Sequence, residues 1–270
     1  VNLLLKKGAE VDLEATDGFT SLMVASQNGF MGVVKSLLEK GADPDHKAVD
    51  GFTSLMLASQ NGFYNIAEIL IEKGAVVEFR DKLYSTTALI LAALGGHIDI
   101  VTLLLDKGAD PNLQDSDGST ALFMASLKGY TDIVRLLLER GSRPDIKCRD
   151  GADAIFIASL NGHTDVVKLL LERGVALNDS DGTDAIVINA QDGMTATVRA
   201  VLYENQIPDL ESLGRLTAVI ASSQDGRLEV VKLLIKPGFN PVADQNSTKK
   251  TAFIRAAVSG HIEPVKVMVK

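Results

Sequence analysis

The chain is short of the residues that build disulfides, membrane spans and basic binding surfaces. It has one cysteine, Cys148, in 270 residues. A single thiol forms no internal disulfide, so a reducing compartment is expected, the cytoplasm or the nucleus. Basic residues are in the minority, 27 Lys and Arg against 35 Asp and Glu, for a formal net charge of −8. Surfaces that bind nucleic acid normally carry a basic excess, so nucleic acid is not an expected partner. No apolar run approaches the roughly 18 residues of a spanning helix, so no membrane partner is expected either. No secretory leader is legible, which carries little weight in a chain that opens on Val1 rather than Met.

Glycine, by contrast, is spaced with regularity. Of the 23 glycines, Gly29, Gly62, Gly96, Gly129, Gly162, Gly193, Gly226 and Gly260 form one register with a period of about 33 residues. Gly8, Gly41, Gly74, Gly108, Gly141, Gly174 and Gly238 form a second, with Asn205 in the next place. Gly18, Gly51, Gly118, Gly151 and Gly182 hold a third. A period of this size marks a stack of repeats, which presents an extended surface rather than one enclosed pocket.

Asp117 to Pro144 shows the unit. Asp117-Gly118 is a tight-turn dipeptide. Thr120 reads as a helix N-cap, and its register repeats at Thr20, Thr53, Thr87, Asp153, Asp184, Thr217 and Thr251. A short helix follows from Ala121 and ends at Gly129, the residue type favoured in the left-handed position after a helix. A second helix starts near Thr131-Asp132, its acid well placed for the helix dipole. Ile133, Val134, Leu137 and Leu138 give it one buried face. Gly141 ends it, and Asn205 is the natural substitute in that register. Prolines three residues on, at Pro44, Pro111, Pro144, Pro208 and Pro241, start an extended link. Pro264 falls in a first helical turn, and Pro237 at a helix end expected to fray.

The run Asp117-Gly118-Ser119-Thr120-Ala121-Leu122, followed by Ala125, Gly129, Ile133-Val134, Leu137-Leu138 and Gly141, resembles the ankyrin repeat. So do Asp17-Gly18-Phe19-Thr20-Ser21-Leu22 and Leu103 through Asn112. The resemblance covers the whole chain. It implies an all-α ankyrin-repeat solenoid of helix-turn-helix units joined by β-hairpin-like loops. The expected organisation is one array of eight helix pairs. A partial repeat at 1–8 precedes units at roughly 9–41, 42–74, 75–108, 109–141, 142–174, 175–205, 206–238 and 239–270. Leu3, Leu4 and Leu5 at one end, and Val265, Val267, Met268 and Val269 at the other, are apolar where an array needs polar caps. A piece cut from a longer protein is the expectation.

The chain departs from the family's Thr-Pro-Leu-His signature. The Pro register holds Ser or Ala, and the His register holds Met23, Met56, Ile90, Phe123, Phe156, Val187, Ile220 and Ile254, all expected to bury. A register of small residues, Ala25, Ala58, Ala92, Ala125, Ala158, Ser222 and Ala256, is broken by Asn189, where a local distortion is expected. The links before Thr87, Asp184 and Thr251 change length, so those hairpins should differ from the rest.

Nothing in the sequence converges into chemistry. His97, His163 and His261 share one position after a glycine and read as surface or capping imidazoles, with His46 in a link. Cys148 lies between Lys147 and Arg149, but no His or second Cys adjoins it, so neither a nucleophile nor a redox role is expected. The glycines punctuate rather than cluster into a phosphate loop. No catalytic residue, metal site, cofactor or small-molecule substrate is expected, and the chain is read as a non-enzyme.

The resemblance implies a protein-interaction scaffold that binds a polypeptide on its concave face and hairpin tips. The matching positions are Asp17, Phe19, Asp50, Phe52, Tyr84 and Asp150 on the tips, and Gln27, Asn28, Gln60, Asn61, Lys128 and Asn161 at first-helix ends. Phe19 and Phe52 share a register and read as an exposed aromatic pair fit to anchor a peptide. The acidic balance favours a partner with a basic segment. A monomer is expected. The alternative is the regulatory ankyrin region of a larger enzyme or ion channel. Asn112 matches the position that an asparaginyl hydroxylase modifies in ankyrin repeats. The competing reading is a side chain that hydrogen-bonds across the turn, since the same register holds Asn178, Asp12, Asp45, Glu78, Asp145, Asp209 and Val242, mostly generic acceptors.

Overall fold

The computed structural model describes residues 8–175, 177, 179–203, 214–235 and 247–269. The half-repeat expected ahead of Gly8 lies outside them, as do Asn178, Asn205, Pro208, Pro237, Gly238 and Pro241. The described residues form sixteen helices and no strand. The chain divides into two compact units, Val1–Asp153 and Ala154–Lys270.

The first unit contains α1 (Ser21–Gln27), α2 (Met31–Glu39), α3 (Ser54–Gln60), α4 (Tyr64–Glu72), α5 (Ala88–Gly95), α6 (Ile98–Asp106), α7 (Ala121–Lys128) and α8 (Thr131–Glu139). These are four antiparallel pairs in two layers. The odd-numbered helices stack on one another, as do the even-numbered ones, and each pair packs internally. Thr20, Thr53, Thr87 and Thr120 cap the first helices as expected, each hydroxyl accepting from the backbone N–H three residues on. The second helices close with one repeated motif. At the end of α2, Gly41 N–H donates to Leu38 O and Ala42 N–H to Leu37 O. Gly41 has a φ of 85°, which an L side chain rarely adopts, so the helix can reverse there without strain. The same pair of bonds recurs at Gly74, Gly108 and Gly141.

The links are narrow hairpins without strand pairing. Ala48 N–H donates to Phe52 O and Gly51 N–H to Ala48 O, and the same two bonds form around Gly18, Gly118 and Gly151. The link before α5 is wider, as its extra residue requires. Asp81 N–H reaches Thr86 O, and Ser85 takes a φ of 52°.

The second unit contains α9 (Ala154–Leu160), α10 (Thr164–Glu172), α11 (Asp179–Asp192), α12 (Thr195–Tyr203), α13 (Gly214–Gln224), α14 (Leu228–Leu234), α15 (Ser247–Val258) and α16 (Ile262–Val269). Alternate helices again stack within it. Three expected caps are corrected here. Asp184, Thr217 and Thr251 lie inside α11, α13 and α15 rather than at their starts. The link before Asp184 is two residues short, so Asp181-Gly182 cannot fold back as a turn and continues the helix instead. The distortion expected at Asn189 takes this form as well. The helix is lengthened, not broken, and runs through Asn189, whose amide donates to Ser159 O (2.5 Å) and Ala185 O (2.7 Å).

The register that replaces the family's His buries only in part. Met23, Met56 and Ile90 are buried, Phe123, Phe156, Val187 and Ile220 half-buried, and Ile254 is exposed. Burial at this register depends on the next repeat's first helix, so it varies along the stack.

Candidate interaction surface

The hairpin tips of the first unit are tied into one edge by backbone bonds. Val49 N–H donates to Asp17 O (3.0 Å), Lys82 to Asp50 O (2.7 Å), Ser116 to Tyr84 O (2.6 Å) and Arg149 to Asp117 O (2.8 Å). Each bond joins a repeat to the next, so the tip side chains stand on a continuous support. Glycine permits the approach: a Cβ on Gly51 would stand 2.7 Å from Lys82 N.

Asp17 is exposed and Asp50 half-buried, and each folds its own tip by accepting from the N–H two residues on, Phe19 and Phe52 respectively. The two phenylalanines come together, but not as the exposed pair the sequence suggested. Both are half-buried against one cluster of Met23, Ala48 and Leu57. Their rings cover core, which leaves a partner less to grip. Tyr84 is fully on the surface beside Leu83 and Val49. The loop beneath it is held by Asp81, a buried carboxylate that accepts from Leu83 (2.8 Å), Tyr84 (2.7 Å) and Thr86 (2.7 Å) N–H. Asp150 is exposed on its tip.

At the first-helix ends, Gln27, Gln60 and Lys128 are exposed. Asn28, Asn61 and Asn161 are exposed too, but their amides are engaged. Each Nδ2 donates at 2.8 Å to the carbonyl four residues back, finishing the helix. Asn112 is also engaged. Its Nδ2 donates to Gly141 O (3.1 Å) and its Oδ1 accepts from Arg143 N–H (2.7 Å), which clamps two repeats together. Asp12, Asp45 and Glu78 accept equivalent inter-repeat N–H bonds from Asp43, Val76 and Asp110.

One register was noticed in the sequence only at His97, His163 and His261, read there as surface or capping imidazoles. It is the residue after each first-register glycine: Phe30, Phe63, His97, Tyr130, His163, Met194, Arg227 and His261. The side chains of Phe63, His97, Tyr130, Met194, Arg227 and His261 lie over the glycine of the preceding repeat. A Cβ on Gly29 would stand 2.6 Å from the Phe63 ring, on Gly62 2.6 Å from His97, and on Gly96 2.8 Å from Tyr130. In the second unit His261 covers Gly226, and Arg227 covers Gly193. His97 Nε2 also donates to Gln60 O (3.1 Å), and Arg227 Nε to Gln191 O (2.9 Å). His97 and His261 are therefore joints between repeats. The periodic spacing of flat or long side chains was the available signal.

Arg143, hydrogen-bonded to Asp145, holds that carboxyl below its usual range. Among the described residues no group of three His, Cys, Asp or Glu is placed to hold a metal. No helix among them is long and apolar enough to cross a membrane. A family model that describes ankyrin repeats, three copies to the model, matches four overlapping stretches, residues 1–81, 75–148, 140–212 and 186–270. A search of curated proteins finds no match.

Proposed function

From the premise that the chain belongs to the ankyrin-repeat family, whose members are generally protein-interaction modules, we propose that it is a non-catalytic scaffold that binds a polypeptide across its hairpin tips and first-helix ends. The observation that carries this is the ladder of tip-to-tip backbone bonds from Asp17 to Arg149. Side chains on such an edge are already ordered, so binding loses less conformational freedom. Exposed Tyr84 is the best-placed aromatic anchor, because Asp81 holds its loop in one conformation. Asp17 and Asp150, exposed on the same edge, together with the net charge of −8, favour a partner segment rich in Lys or Arg. Gln27, Gln60 and Lys128 extend the contact, while Phe19 and Phe52 support it from below. Asn28, Asn61 and Asn161 contribute what their capping bonds leave free. A reducing compartment, cytoplasm or nucleus, suits the free Cys148.

The test is affinity capture with mass spectrometry on the chain and on a Tyr84→Ala, Asp17→Asn, Asp150→Asn variant. Asparagine at 17 keeps the oxygen that Phe19 N–H needs. A polypeptide held by the first and lost by the second, with equal helical content, supports the tips as the site. Identical partners for both would move the site elsewhere. Capture that persists unchanged at high salt would rule out the basic segment.

A further inference from the structure

The hairpin tips of the first unit follow one another at the pitch of a polyproline II chain. The first helices of that unit stack on one another, and packed helix axes stand roughly 8–10 Å apart, so the tips repeat at about that distance. A polyproline II chain has three residues per turn and climbs about 9.3 Å in each turn. Every third side chain of such a chain therefore meets a new tip, always on the same side. A β-strand presents the same face every two residues, about 6.6 Å, and is out of step by the second tip. Strand addition is disfavoured in any case, because the N–H groups of Val49, Lys82 and Ser116 are already given to the neighbouring tips.

The side chains along this edge are ordered by type. Counted from Asp17, the second and third tips are apolar. Val49 and Leu83 are each 65 % exposed, and Tyr84 is 60 % exposed. Lys82, between them, donates its Nζ to Val49 O (3.2 Å) and so lies back along the edge. In the place of Val49 the first and fourth tips carry polar residues, Thr16 and Ser116, each followed by an exposed acid, Asp17 and Asp117. The edge therefore reads acid, apolar, apolar, acid. On the fifth tip Arg149 stands exposed beside Asp150, so the pattern ends at the fourth.

We propose that this edge binds a polyproline II segment whose side chains at every third position run basic, apolar, apolar, basic. The two bases face Asp17 and Asp117, and the apolar pair lies on Val49 and on Leu83 with Tyr84. Proline suits the positions between, because it sets the partner's backbone before binding and so reduces the freedom lost. Tyr84 offers the aromatic surface on which proline-rich segments dock. The inference rests on the scaffold reading above and adds to it the conformation and the spacing of the partner.

The experiment is fluorescence anisotropy with labelled peptides, the chain titrated to about 1 mM so that weak binding is still read. Lys-Pro-Pro-Leu-Pro-Pro-Leu-Pro-Pro-Lys carries the three-residue spacing. Pro-Lys-Pro-Leu-Pro-Leu-Pro-Lys-Pro-Pro has the same composition at a spacing of two. The first should bind about tenfold more tightly than the second, and more weakly as salt is raised. A Val49→Ser, Leu83→Ser variant, checked by circular dichroism for unchanged helix, should lose about tenfold in affinity for the first peptide. An Asp17→Asn, Asp117→Asn variant should bind it weakly and with little response to salt. Equal affinity for the two peptides overturns the proposal, as does a first peptide that fails to bind or that the serine variant binds unchanged. If affinity capture still finds a polypeptide held at the tips, only the polyproline spacing falls. If capture also finds none, the scaffold reading falls with it.

Discussion

Gly62 and Gly74 both hold a left-handed φ, 79° and 95°, but only Gly62 has a neighbour against it. Alanine at either position meets backbone strain of roughly 1–2 kcal/mol. At Gly62 it also meets the His97 ring at 2.6 Å, while at Gly74 nothing lies within 4 Å. Gly62→Ala should therefore lose more stability in urea unfolding than Gly74→Ala, by about 1 kcal/mol or more. Equal losses would mean that the imidazole simply swings aside. Asn112 offers a second comparison. Asn112→Ala removes two inter-repeat bonds and should cost about 1–2 kcal/mol. Asn112→Asp keeps the acceptor for Arg143 N–H and should cost less, as the acids at this register in neighbouring repeats imply. Both variants are read by the urea midpoint at constant slope. The acceptor at this register was legible in the sequence, because Asp12, Asp45 and Glu78 show what the position requires. The ring-over-glycine contact was not. Phe63, His97, Tyr130 and Arg227 share a place but no chemistry, and what unites them is the glycine beneath each one.

At the scale of the helix, the N-cap register behaves in two ways. Thr120 has an extended backbone and its hydroxyl accepts from Phe123 N–H at 3.2 Å. Asp184 occupies the same register but lies within α11, which begins at Asp179. Thr120→Ala should cost about 1 kcal/mol by losing a cap. Asp184→Ala should cost nothing measurable or stabilise slightly, because alanine is the better residue inside a helix. Thermal unfolding followed at 222 nm compares the two, and an equal loss at both positions would restore Asp184 as a cap. Helix existence was legible throughout, since every pair carries the apolar spacing and most carry the closing glycine. Helix starts were legible only where an Asp-Gly or equivalent turn precedes them. A propensity rule cannot see that a link two residues short has no room to turn.

For the whole molecule, a stack of repeats is as stable as its nearest-neighbour interfaces. The interface at Asn189 places a polar side chain among buried residues. Its amide is satisfied, while its Oδ1 has no partner among the described residues. Amides of α11 and α12 should therefore exchange with solvent faster than those of α5 to α8, where the same register holds Ala92 and Ala125. Hydrogen exchange by mass spectrometry measures this, and uniform protection across both groups would refute a weak joint. The sequence by itself determined the repeat, its period, its two helices and the apolar faces that pair them. Those features are local and recur, so one unit predicts the others. Only the tertiary structure decided which aromatics reach the surface, which amides are engaged in capping, and which glycines are covered. Each of those depends on the neighbouring repeat, and a residue carries no mark of what will be packed beside it. Phe19 and Phe30 show the result: the first is half-buried over the core and the second stands open.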